Sequence, residues 1–198
     1  MENLGREGRA TGRVEAEVIR TERLVLVPQR VEHAREMADV LSDPALHTFI
    51  GGAPATADEL RSRYARMAAG PADPAESWCN WVIRLREGDG GGDGDGDGEE
   101  GLGQGPLTGT VQATISPSGS GLVAEIAWVV GTAFQGRGIA SEAARGLVDW
   151  LVRHSVRETA AHVHPDHAAS GAVARAVGLE PTGEWHDGEV RWVRREAR

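Results

Sequence analysis

The segment richest in chemistry runs Gln135-Gly136-Arg137-Gly138-Ile139-Ala140-Ser141. It follows an apolar run, Ala124 to Val130 broken by Glu125, and opens a stretch with helical apolar spacing. Glycines at 136 and 138 let backbone amides approach an anion closely, and the start of a helix adds unsatisfied N–H groups and the positive end of its dipole. The natural guest is a phosphate or pyrophosphate. Arg137 adds charge-assisted hydrogen bonds, and small Ala140 leaves room beside the loop. A Gly-rich turn before a helix also serves as a plain structural cap, so this loop alone leaves both readings open. Two other phosphate loops are excluded. The chain contains no Lys, which rules out a Walker loop, and its glycine spacing and late position differ from the dinucleotide fingerprint.

Three other groupings invite chemistry. In His162-Val163-His164-Pro165-Asp166-His167, strand alternation puts His162 and His164 on one face, which raises a metal reading. Such a site needs a third placed ligand and a supporting shell, so substrate contact by His164 is the simpler role. Asp93 to Gly98 matches the first half of an EF-hand loop, but the twelfth position is Gln104 where a bidentate Glu is required. A solvated acidic linker accounts for it better, and no metal is expected. The lone Cys79 rules out an internal disulfide framework and reads as a buried small hydrophobe.

The elements that must position these residues follow from periodicity. Ile19 to Pro28 reads as a strand ended by proline, and Val31 to Leu41 as a helix. Thr56-Ala57-Asp58-Glu59 has the form of a capping box opening a helix to about Ala69. Ser77 to Arg86, Leu107 to Ile115 and Leu122 to Val130 read as strands. Gly138 to His154 reads as a long helix, Thr159 to His164 as a strand, and Asp166 to Val177 as a helix closed by Gly178. Glu180 to His186 and Glu189 to Arg195 flank Asp187-Gly188, a hairpin turn signal. The order gives an α/β fold with a mixed sheet of about seven strands and about four helices. Residues 1–16 read as a disordered tail, 17–198 as a single domain, and 87–105 as a Gly/Asp-rich insert in it.

The net charge of −9 argues against nucleic-acid binding, which needs a basic surface, and favours a cationic acceptor. No apolar run approaches a membrane span and the N-terminus lacks a secretory core, so no membrane partner and a cytoplasmic location are expected. A single thiol agrees with a reducing compartment.

The loop Gln135-Gly136-Arg137-Gly138-Ile139-Ala140 fits the Gln/Arg-x-x-Gly-x-Gly/Ala signature of the GNAT N-acetyltransferases, and it follows the expected strand. Thr21 to Leu26 resembles the family's opening strand, and Ala124 to Val130 resembles the strand before the cofactor loop. Pro165 to Ser170 followed by Gly178-Leu179 resembles the later Asn-x-x-Ser and Gly-Phe pattern. The chain looks most similar to the branch that acetylates N-terminal amino groups of ribosomal proteins, relatives of which modify small amines. The resemblance implies a GNAT-like, mostly antiparallel sheet and acetyl-CoA as acetyl donor. It also implies that backbone groups of Val129 and Val130 pair with the pantetheine arm, and that amides from Gln135 to Ser141 receive the pyrophosphate.

The same resemblance nominates Glu125 as general base through water, against a solvent-facing strand carboxylate, and Ser170 as proton donor, against a helix-start cap. Trp128 and His164 become substrate-facing residues. His167 stands where the family has Asn, and Ala174 where many members have the Tyr that protonates the thiolate. The expected partners are acetyl-CoA and an amine, either a small molecule or a protein N-terminus. Family habit adds a homodimer. The alternative is an acetyl-CoA-binding sensor or interaction domain without turnover.

Overall fold

The computed structural model describes residues 13–86, 105–119 and 121–196. Among these, eight strands form one sheet in the order β1-β2-β3-β4-β5-β6-β8-β7. The strands are β1 (Ile19–Arg20), β2 (Leu24–Pro28), β3 (Ser77–Leu85), β4 (Leu107–Ser118), β5 (Gly121–Val130), β6 (Val156–Val163), β7 (Glu180–His186) and β8 (Glu189–Arg195). The helices are α1 (Ala34–Val40), α2 (His47–Ile50), α3 (Ala57–Ala69), α4 (Ile139–Arg153) and α5 (Ala168–Ala176). Every neighbouring pair is antiparallel except β5 with β6, which are joined through α4.

The expected strand over Ile19 to Pro28 is two strands, because the chain turns at Thr21 and Leu24, where the Thr21 N–H donates to the Leu24 carbonyl at 2.9 Å. The short α2 lies in a segment with no helical periodicity to announce it. The Thr56–Glu59 capping box is formed reciprocally and opens α3 as its sequence requires. Asp187 and Gly188 both have positive φ, the turn that matches the twist of a two-residue hairpin.

Two apolar layers hold the sheet. On one face, Leu24, Leu26, Trp81, Ile83, Val111 and Ile126 pack against the buried stripe of α4, including Ile139, Ala143, Leu147 and Leu151. Their spacing of three to four residues puts them on one side of that helix. On the other face, Val25, Val27, Val82 and Leu107 pack against Ala34 and Met37 of α1 and Leu60 and Tyr64 of α3. These helices cover only part of that face, leaving Gln112, Glu125 and Ala127 exposed. Cys79 is buried, and desolvation together with the charge of Glu15 pushes its thiol up to about 12.

Residues 13–16, placed in the tail by composition, pack against the fold together with Glu17. Val14 N–H donates to Ser77 Oγ at 3.0 Å, and the Glu17 carbonyl accepts from Trp81 Nε1 at 2.7 Å. Residues 1–12 and 87–104, including the Asp/Gly run of the insert, lie outside the described residues.

Candidate active site

The site begins where two strands part. β5 and β6 pair in parallel from Leu122 with Val156 to Glu125 with Ala160, and the pairing stops there. β6 continues to Val163 with β8 alone. Beyond Glu125 one edge of β5 is therefore released from the ladder. Gly131 N–H donates to the Thr108 carbonyl at 2.9 Å, and Val129 lies opposite Thr110. Alternation then turns the backbone of Val129 toward β4 and the backbone N–H groups of Trp128 and Val130 toward the open edge. Val129 contributes its side chain to the opening. The Val130 carbonyl accepts from Gln135 Nε2 at 3.0 Å, which fastens the following loop to the strand end.

The loop itself is built on positive φ. Gly136 has φ +71° and Gly138, the N-cap of α4, has φ +75°. An added Cβ at Gly136 would meet nothing within 4 Å, so the requirement there is backbone conformation and not space. The first intrahelical bond runs from Glu142 N–H to the Gly138 carbonyl at 3.0 Å, and no side chain caps the helix. The N–H groups of Ile139, Ala140 and Ser141 precede that bond and lack intrahelical acceptors. Arg137 stands over the Phe134 ring at 5.9 Å to its centroid, with its guanidinium at the surface. Ile139 turns its side chain into the core, so its part in the loop is backbone.

A cleft of about 500 Å³ joins these groups. Its wall includes Val129, Val130, Gln135, Gly136, Gly138, Ala140 and Ser141, and it reaches Trp128 and Ser170. The anion-directed amides at one end and the released strand edge along the side fit an extended ligand carrying a pyrophosphate.

A second cleft of about 360 Å³ adjoins it and brings together Glu125, Trp128, His164 and Ser170. Glu125 and Trp128 lie on opposite faces of β5, and the splay lets both reach one opening. Phe49, Ile50, Trp128, Val129, His167 and Ser170 line both clefts and mark their junction. Glu125 is mostly exposed, and its Oε1 lies 3.3 Å from His162 Nδ1. His164 Nδ1 accepts from the Asp166 N–H at 3.2 Å. Among the described residues no three His, Cys, Asp or Glu side chains gather as a metal ion needs. Ala174 is fully buried in the core cluster and does not face either cleft.

Sequence reasoning assigned no site role to His167, Phe49, Ile50 or Arg23. His167 stacks on Phe49 with ring centroids 4.2 Å apart, and burial, then the nearby His164 charge, pull its pKa below the ordinary 6.5. Phe49 and Ile50 come from α2, whose four residues leave no periodic signal. Arg23 donates to the Arg137 carbonyl at 3.1 Å and to Glu142, so the β1–β2 turn supports the glycine loop.

The family profile described as "Acetyltransferase (GNAT) domain" matches residues 23–180. The chain belongs to the GNAT acetyltransferases. Solved structures of similar fold include RimL, the ribosomal L7/L12 alpha-N-protein acetyltransferase in complex with coenzyme A, at 19% identity and TM-score 0.68, covering 90% of this chain and 98% of that one. An acetyltransferase from Agrobacterium tumefaciens aligns at 23% identity and TM-score 0.64, covering 96% and 100%. The microcin C7 self-immunity acetyltransferase MccE, in complex with acetyl-CoA and AMP, aligns at 14% identity and TM-score 0.66, covering 89% and 94%. No curated protein matches this acetyltransferase significantly by sequence. None of its described helices is long and apolar enough to cross a membrane.

Proposed function

We propose that this chain transfers the acetyl group of acetyl-CoA to a primary amine, of a small molecule or a protein N-terminus, by direct attack. The observation that carries the reading is the junction of two clefts beside Trp128 and Ser170, with an anion-binding loop at one end and Glu125 at the other. Amides from Gln135 to Ser141 take the pyrophosphate. The free β5 edge at Trp128 and Val130, with the Val129 side chain, holds the pantetheine arm and leads the thioester to the junction.

Attack requires a neutral amine, so a base must remove its proton, and the leaving thiolate must receive one. Glu125 is the base, acting through water and supported by His162. Ser170 is the proton donor at the sulfur, since the position of the family's tyrosine is occupied by buried Ala174. Glu189 lines the same acceptor cleft and adds a second carboxylate that attracts a cationic amine before it loses its proton. Trp128 and His164 bound the acceptor. A cytoplasmic location and assembly as a homodimer belong to the same reading.

Isothermal titration with acetyl-CoA, and with pantetheine as control, tests it. Binding that requires the pyrophosphate, followed by thiol release with amines, supports the transferase. Binding without acetylation of any amine supports the sensor reading that Ala174 motivates. No binding sinks both.

A further inference from the structure

A third cavity, of about 410 Å³, lies between α3, the loop after α2 and the sheet strands β3 and β4. It meets the acceptor cleft at Ile50, Thr110, Gln112 and Val129. Among the described residues, three buried polar atoms on its wall make no hydrogen bond of good geometry: Gln29 Oε1, His47 Nε2 and the Tyr64 hydroxyl, beside which the Gln29 side chain lies. Tyr64 is 4% exposed. A buried polar atom without a partner is costly, and three around one cavity mark a place built for a polar guest.

The chemistry of the three atoms specifies that guest. His47 Nδ1 lies 3.0 Å from the Gly51 carbonyl, which only accepts, so Nδ1 carries the proton and Nε2 offers a lone pair. Gln29 Oε1 is a second acceptor, and the Tyr64 hydroxyl is free to donate. Burial pushes the Tyr64 pKa up, which keeps that hydroxyl protonated. Among the described residues no carboxylate lines the cavity, and Arg63 does, so a cation would lie there uncompensated.

We infer that this cavity is a specificity subsite for a primary carboxamide carried on the acceptor amine. The carboxamide NH2 supplies two donors, for Gln29 and His47, and its carbonyl accepts from Tyr64. The kinetic part of the inference rests on the acetyl-transfer reading. The binding part does not.

The test uses primary amines of equal length ending in a carboxamide, a carboxylate or a methyl group. Binding is followed by ligand-observed saturation-transfer NMR, and acetylation by thiol release. The carboxamide should bind, and be acetylated, roughly tenfold or more better than the methyl compound, since a site built for hydrogen bonds rejects a guest lacking them. Tyr64→Phe removes the unpartnered hydroxyl with little change in shape, so its Tm should equal or exceed that of the parent while the carboxamide preference collapses. Gln29→Leu, at the side chain beside that hydroxyl, gives the same collapse.

Equal binding of carboxamide and methyl compounds, a preference that survives both substitutions, or a preference for carboxylate through Arg63 overturns the subsite. Tyr64-dependent carboxamide binding without any acetylation keeps the subsite and sinks the transfer reading. Acetylation without carboxamide preference does the reverse.

Discussion

Arg23 and Glu142, 119 residues apart, meet at 2.7 Å and tie the turn between β1 and β2 to the first turn of α4. The Arg23 N–H and the Thr21 hydroxyl also donate to Glu142 Oε1, at 2.8 and 2.6 Å. The same guanidinium donates to the Arg137 carbonyl. One arginine thus ties the helix start to the glycine loop.

Arg23→Ala should weaken acetyl-CoA binding roughly threefold to tenfold, because the arginine is half exposed and its contribution is screened by solvent. Titration calorimetry at two salt concentrations checks this. Unchanged affinity would show that the loop holds its shape without the tie.

Gly136→Ala isolates backbone conformation, since its Cβ meets nothing and its φ of +71° is unfavourable for any L side chain. The strain is about 1 kcal/mol. The fold should therefore survive, with Tm within a few degrees of the parent, while acetyl-CoA binding falls. Normal binding would remove the Gly136 amide from the phosphate cradle.

Glu125→Gln and Ser170→Ala should leave acetyl-CoA affinity intact and lower kcat, by about 10²-fold or more for the base. Loss of kcat in Ser170→Ala that recovers with an acceptor-independent thiol exchange assay would place Ser170 outside the thiolate step. Unchanged kcat in Glu125→Gln would return that residue to a solvent-facing strand carboxylate.

Stability should fall in acid through Glu142 and Glu158. Burial alone would raise both carboxyls. The donors Thr21 and Arg23 outweigh it at Glu142, and Arg191 and Arg195 outweigh it at Glu158, so both pKa values lie below the ordinary 4.5. A lowered folded-state value means that the stabilisation is complete above 4.5 and is lost as pH falls through the folded-state pKa. Urea denaturation between pH 7 and pH 3 should show this decline, and Glu142→Gln should make it shallower. An equally steep decline in that variant would assign the effect to other groups.

Much of this was written locally. The Thr56–Glu59 box, the Asp187-Gly188 turn and the Gly136–Gly138 loop each act through atoms within a few residues, so composition and spacing announce them. The split at Thr21 was not announced, because the apolar run of Leu24 to Val27 hides a turn made by backbone hydrogen bonding. Neither was the packing of Val14 to Glu17, whose partners Ser77, Cys79, Trp81 and Trp150 lie more than sixty residues away.

The sequence by itself determined most of the element order, the glycine turn that opens α4 and the residue types near it, since period, turn chemistry and helix capping are short-range physics. Only the tertiary structure decided that β5 and β6 part after Glu125, that Ser170, His167 and Phe49 share one junction, and that Gln29, His47 and Tyr64 surround a third cavity. These are relations between groups far apart in the chain. They arise from how sheet register and helix packing close the fold, and no local pattern encodes where a strand pair stops or which polar atoms it leaves without partners.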